Sequence, residues 1–324
     1  MKKVSIIGAG NVGCACANVL ATRNVADVII LLDIKEGVAE GKAMDLRQGV
    51  LQLGSTTKII GVTADYSKTA DSDVIVITSG VPRKPGQTRE EMLAVNGKIL
   101  DECVRGALQY SPNAVFIPIT NPVDTLTYHT YRVLQEEIPN FDRHRVLGLG
   151  GVLDSARFKY YLQQKTGIDA WHFDAMVIGG HGDTTMVPLA SLVSYAQAYG
   201  HKPISIFDLL FQSDVRAVVE ATKVGGATCT KLLGTSAWQG PGTALARMIE
   251  AVVNDAGEVF PCTVPLEGEY GETDICIGVP VVLGIGGWKK VVELDISETE
   301  KAAFKASADA VRTVNAELPW KYKA

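Results

Sequence analysis

The sequence predicts an α/β protein: a doubly wound parallel sheet in its first half, followed by an α+β second half. Three features carry this expectation. Up to about residue 150, short apolar runs alternate with stretches of helical periodicity. The first run leads directly into Gly8-Ala9-Gly10-Asn11-Val12-Gly13, a G-x-G-x-x-G turn that opens a helix. Beyond Gly150 the helical stretches lengthen, and turn residues separate the apolar runs between them, as in antiparallel strands. The expected domains are therefore 1–150 and 151–324.

The elements follow in order. Val4 to Ile7 is a buried strand, and the small residues from about Asn11 to Thr22 form the first helix. Val28 to Leu32 is the second strand, ending at Asp33. A helix from about Glu36 to Leu53 carries Ala43, Leu46 and Val50 at helical spacing. Lys58–Gly61 and Val74–Ile77 are further strands, Thr88 to Gln109 is an amphipathic helix, and Ala114–Pro118 is a strand broken at Asn121-Pro122. In the second half, helices are expected over Leu153–Lys165, Ile206–Leu233, Thr243–Asn254 and Glu298–Leu318. Strands are expected over Val259–Val264, Cys276–Val279 and Val281–Ile285. No repeat or flexible linker interrupts the chain, which implies that the two halves pack tightly.

Composition narrows the function. A net charge of -5, from 31 basic and 36 acidic residues, provides no general attraction to nucleic acid or anionic membrane. The apolar stretch after Lys2-Lys3 ends at Gly8, too early for a signal peptide, and no run is long enough to span a bilayer. The expectation is a cytoplasmic protein. The six cysteines form no C-x-x-C pair and the five histidines show no metal spacing, so free thiols and no metal site are expected. Cys14 and Cys16, two apart on a helix, should point in different directions.

The glycine turn has the context that a dinucleotide requires. Gly8 allows the tight turn, Gly10 lets backbone approach a pyrophosphate, and Gly13 lets helix and strand pack closely. The helix N-terminus at Asn11 and Val12 supplies N–H groups. Asp33, 25 residues beyond Gly8, can accept hydrogen bonds from a ribose diol and would repel a 2′-phosphate, so NAD is expected over NADP.

Chemistry is concentrated in three places. The segment Gly80 to Arg89 follows a strand and holds two prolines, two glycines and the cations Arg83, Lys84 and Arg89. It reads as a closing loop that recognises a small acid with two carboxylates, or by itself as a solvated loop. Gly179-Gly180-His181-Gly182-Asp183 leaves His181 accessible between glycines at a strand end, suited to proton transfer. Asp154 and Arg157 share a helix face. They read as a surface ion pair, or, with His181, as its orienting carboxylate and a carboxylate clamp. Asn121, before Pro122, reads as a turn residue or as a donor to a substrate oxygen, with a raised chance of a cis bond.

Taken together these segments resemble the NAD-dependent lactate and malate dehydrogenases. The likeness runs through Gly8–Gly13, Asp33, the Arg83–Arg89 loop, Thr120–Asp124, Val152–Phe158 and Gly179–Asp183, nearly the whole chain. It implies a Rossmann domain with NAD held by Gly8, Gly10, Asn11, Val12, Gly13, Asp33, Asn96 and Asn121. It makes His181 the proton carrier, Asp154 its orienting partner, Arg157 the clamp on the near carboxylate and Arg89 the arginine that polarises the carbonyl. Asn121 is placed near both nicotinamide and substrate oxygen. Arg83 stands where lactate enzymes usually carry glutamine and malate enzymes arginine, which implies a dicarboxylate substrate, malate or oxaloacetate, with other 2-hydroxyacids as the alternative. The resemblance also implies a homo-oligomer, tetramer favoured over dimer. Gly234–Pro241 departs from the family's pattern and leaves the far wall of the pocket open.

Overall fold

The computed structural model describes residues 1–81, 89–196 and 202–320, and of Arg89 the backbone only. Strands β1 (Lys3–Ile7), β2 (Val28–Asp33), β3 (Lys58–Thr63), β4 (Val74–Ile77) and β5 (Val115–Pro118) form one parallel sheet in the order β3-β2-β1-β4-β5. Between them run helices α1 (Asn11–Thr22), α2 (Val38–Leu51) and α3 (Arg89–Leu108), with α4 (Val123–Glu137) after β5. The apolar runs look continuous because both faces of the sheet are covered. Val4 and Ile6, Ile29 and Leu31, and Val74 and Val76 enter one core with α1. Their neighbours Ile7, Ile30, Leu32, Ile75 and Ile77 enter another with α3 and α4. Alternation of period two thus supplies two cores from one set of strands.

The second half begins with α5 (Gly151–Thr166). Short strands β6 (Phe173–Asp174), β7 (Val177–Gly179), β8 (Met186–Pro188), β9 (Ser194–Tyr195) and β10 (Ile204–Ser205) follow. Next come α6 (Ile206–Leu209), α7 (Gln212–Leu233), α8 (Gln239–Val253), β11 (Val259–Glu267), β12 (Thr273–Gly284), β13 (Gly287–Val291) and α9 (Glu298–Asn315). β11, β12, β7 and β8 make an antiparallel sheet, with β13 also on β12. The halves share a core, because α8 lies against α1. A Cβ on Gly242 would stand 2.6 Å from Ala15 Cβ and 2.9 Å from the Cys16 nitrogen, so only glycine allows the helices this approach.

Several expectations need correction. The helix expected over 206–233 is two, broken at Leu210 and Phe211. The two strands expected around Pro280 are one, β12. Pro280 does not break it because β12 pairs with β7 at Gly278 and with β13 from Val281. The proline's missing N–H falls between these two partners. Helix α4 was not anticipated, although Val123, Leu126, Thr130, Val133 and Leu134 lie at helical spacing and are buried. Cys16 is fully buried in α1 while Cys14 is half-buried, with its thiol donating to the Ala9 carbonyl at 3.4 Å. No described helix is long and apolar enough to cross a membrane.

His129 of α4 is buried against the Gly97 carbonyl of α3 (Nε2 to O, 3.2 Å), with its ring 4.4 Å from that of Trp320. Burial pushes its pKa from 6.5 down to about 4. Between those values the unfolded chain binds the extra proton, so stability falls as pH drops from 6.5 towards 4, by about 3 kcal/mol at the end of the range. Replacing His129 with glutamine should flatten this part of the acid limb in chemical denaturation at stepped pH. An unchanged slope would show that the acid loss arises elsewhere.

Candidate active site

The strand order reverses between β1 and β4, and it is beyond the C-terminal ends of such a strand pair that a doubly wound sheet opens a crevice. Gly8 enters the turn at φ +111°, a conformation that side chains resist, and a Cβ on Gly13 would stand 2.2 Å from the Gly8 carbonyl. Gly10 faces open space and caps α1 with no side-chain acceptor, so the helix N-terminus keeps its donors and positive potential for a ligand. Asp33 Oδ2 accepts the Ala9 N–H at 2.9 Å and Oδ1 the Lys35 N–H at 3.0 Å. The carboxylate therefore braces the turn and also stands beside a cavity of about 320 Å³, lined by Gly10, Ile34, Tyr66, Ser79 and Ile99. A second cavity of about 520 Å³ starts at Val12 and continues past Asn121 to Arg157 and His181. The glycine turn thus stands between two pockets, the shape that a dinucleotide with two unlike ends needs.

Asp154 lies in the first turn of α5 and is 1% exposed. Its Oδ2 accepts from His181 Nδ1 at 2.6 Å, and its Oδ1 accepts from Arg157 Nη1 at 2.8 Å. An ionised carboxylate only accepts, so Nδ1 carries the hydrogen and Nε2 is left free for the cavity. Burial lowers the pKa of His181, but Asp154, helped by Asp124, outweighs it and holds the pKa above the ordinary value. Arg157 lies against α7, where a Cβ on Gly226 would be 3.2 Å from Nη2. With one nitrogen on Asp154, the guanidinium still has donors for an incoming carboxylate.

The structure brings Arg157, His181 and Asn121 together around one cavity, with Asp154 buried behind the first two. Arg83 lies outside the described residues, as does the guanidinium of Arg89. Asn96, expected at the cofactor, is 2% exposed. Its carboxamide accepts from the Val81 N–H (2.9 Å) and donates to the carbonyls of Val81 (3.2 Å) and Asn121 (3.5 Å). It ties the strand exit at Val81 to the Asn121 turn, whose Asn121-Pro122 bond is cis. The far wall left open by the sequence is built from Ser236, Ala237 and Pro241, with Gly226, Ala227 and Thr230 of α7. Trp238 instead precedes α8 as its N-cap. Sequence reasoning assigned no role to Asp124, which accepts the His181 backbone N–H. Its only signal was its place in the Thr120–Asp124 motif.

Residues 2–148 match the model of the lactate/malate dehydrogenase NAD binding domain. Residues 151–317 match that of the lactate/malate dehydrogenase alpha/beta C-terminal domain. The chain belongs to the lactate/malate dehydrogenase family. Among its relatives in this family, malate dehydrogenases from Parabacteroides distasonis and Bacteroides fragilis are 52% and 53% identical, each over 98% of both chains. A solved malate dehydrogenase from Salinibacter ruber aligns with a TM-score of 0.89 at 38% identity, covering 98% of this chain and 97% of that one. A lactate dehydrogenase from Cryptosporidium parvum, complexed with lactic acid and NAD, aligns with a TM-score of 0.89 at 36% identity over 98% of both. The lactate/malate dehydrogenase fold, its NAD binding domain and its oxidoreductase chemistry at a CH–OH group are therefore those of this chain.

Asp33 offers a direct check on cofactor choice. Replacing it with serine removes a charged acceptor and loosens the Ala9 turn. NADH affinity should fall by roughly ten- to a hundredfold. NADPH, no longer repelled at its 2′-phosphate, should lose less. Fluorescence titration of the two nucleotides measures both, and an unaltered ratio would refute the role of Asp33 in selection.

Proposed function

We propose that this chain is a malate dehydrogenase, interconverting (S)-malate and oxaloacetate with NAD. The observation that carries the reading is one buried carboxylate, Asp154, bonded at once to His181 and Arg157 on the wall of a cavity that also reaches Val12 of the cofactor turn. Arg157 would hold the near carboxylate and so fix the hydroxyl-bearing carbon. In the oxidative direction neutral His181 takes the hydroxyl proton at Nε2, and Asp154 stabilises the imidazolium that forms. Bound NAD supplies the hydride exchange. In reverse, protonated His181 donates to the carbonyl oxygen, which Asn121 would hydrogen-bond and Arg89 would polarise. Gly8, Gly10, Asn11, Val12, Gly13 and Asp33 would hold the cofactor, with Asn96 setting the backbone around it. The division at 150/151 would separate the cofactor half from the substrate half.

Malate is preferred over lactate for two reasons. Relatives more than half identical over nearly the full chain are named malate dehydrogenase. Arg83, in the cationic segment after β4, supplies a permanent charge for a second carboxylate. The same reading includes a cytoplasmic homo-oligomer, tetramer favoured over dimer. The exposed Leu51 at the end of α2 and Leu53 just beyond it, with Leu232 and Leu233 at the end of α7, are surface that partner copies would cover.

NADH consumption should be far faster with oxaloacetate than with pyruvate. Arg83→Gln should strand the distal carboxylate without its cation and move the preference towards pyruvate by roughly a hundredfold or more. A variant as selective as the parent would remove Arg83 from the argument. The raised pKa of His181 also sets opposite pH trends. Oxaloacetate should bind best below that pKa, where the imidazole is charged, and malate above it, where it is neutral. Parallel trends in the two KM values would rule out His181 as the proton carrier.

A further inference from the structure

His181 is held by two carboxylates, and only Asp154 touches its ring. The second, Asp124 of α4, is buried and comes from the other half of the chain. Its Oδ2 accepts the His181 backbone N–H at 2.7 Å, and its Oδ1 accepts the hydroxyl of Thr263 on β11 at 2.7 Å. Thr263 is itself fully buried, and its backbone exchanges both hydrogen bonds with Gly148 (2.7 and 3.1 Å). Gly150 completes the contact, because a Cβ there would stand 3.2 Å from Thr263 Oγ1 and 3.3 Å from His181 Cβ. Ser307 of α9 takes the preceding amide, with Gly180 N–H donating to its Oγ at 2.9 Å.

We propose that Asp124 is a positioning residue of the active site, which fixes the His181 backbone and places a second negative charge behind the imidazole so that its proton is retained at the working pH. This rests on the function proposed above. A neutral acceptor could satisfy the backbone amide equally well, and Ser307 does so one residue earlier. A carboxylate buried at this point adds field as well as geometry. Charge counting shows what it accomplishes. Among the described residues, the charged groups facing the imidazole are Asp154 and Arg157 of α5 and Asp124 of α4. With neutral His181 they sum to one negative charge, and with imidazolium to zero. Without Asp124 the imidazolium state would carry a net positive charge in a buried site. Burial works against ionising Asp124, and its two donors, the His181 amide and the Thr263 hydroxyl, offset part of that cost.

The test is Asp124→Asn, which keeps the shape and an acceptor for the amide while removing the charge. The His181 imidazole is titrated by NMR in the protein without substrate, its signal assigned by its loss in His181→Asn. The apparent pKa should fall by about one unit in Asp124→Asn. Thr263→Val keeps the carboxylate but removes one of its two donors, so Asp124 protonates more readily, and the His181 pKa should fall there too, by less. The alkaline limb of oxaloacetate reduction should move down with it, kcat/KM at pH values above the parent's pKa dropping roughly tenfold in Asp124→Asn while NADH affinity holds. A His181 titration coinciding with the parent's in either folded variant, with only thermal stability reduced, would reduce Asp124 to a structural brace. Because the titration needs no substrate, it is decisive for Asp124 even if the parent proves inactive towards oxaloacetate, an outcome that would overturn the proposed function instead.

Discussion

The site depends on one carboxylate shared between an imidazole ring and a guanidinium. Asp154 is almost wholly removed from water, a position in which an unpaired charge costs several kcal/mol. Three features offset that cost: the His181 ring, the Arg157 guanidinium and the positive N-terminal turn of α5. Each partner is thereby oriented as well as paid for in charge. The ring is left in the tautomer that opens Nε2 to the cavity, and the guanidinium is held with donors to spare. Removing either partner would leave a buried charge uncompensated, so the constellation behaves as a unit.

The scaffold exists to bring that unit against the cofactor turn. Helix α5 can reach the second sheet because Gly151 lies where a Cβ would stand 2.5 Å from the Val177 carbonyl, and Ser155 accepts the Val177 N–H at 2.9 Å. Strand β7 then ends at Gly179 with φ +84°, turning the chain so that His181 faces back towards α4 and α5. Helix α8 crosses α1 at Gly242 and carries Pro241 to the pocket wall while α1 carries Val12. The two halves therefore meet along a continuous apolar core, and the cavity between them is set by packing.

Much of this was legible before folding. The alternation of apolar runs and helices announced the parallel sheet, because each run is short, β-branched and bounded by turn residues. Pro280 and the break at Leu210 were misread for one reason: local pattern cannot show which side of a strand is paired or where tertiary contacts end a helix. Likeness alone puts Asn96 at the cofactor; that its amide also holds the backbone at Val81 and Asn121 depends on two loops meeting, which only the fold shows.

What the sequence determined by itself is what depends on neighbours along the chain. The G-x-G-x-x-G turn, Asp33 at a strand end, the Asp154–Arg157 helix pair and a histidine between glycines all follow from backbone freedom and helical spacing. Tertiary structure alone decided that Asp154 of α5 faces His181, and that Asp124 reaches both the His181 amide 57 residues away and the Thr263 hydroxyl 139 residues away. Such pairings leave no periodic trace, because a buried carboxylate is stabilised by whichever donors the packed core presents to it, and only the fold determines which those are.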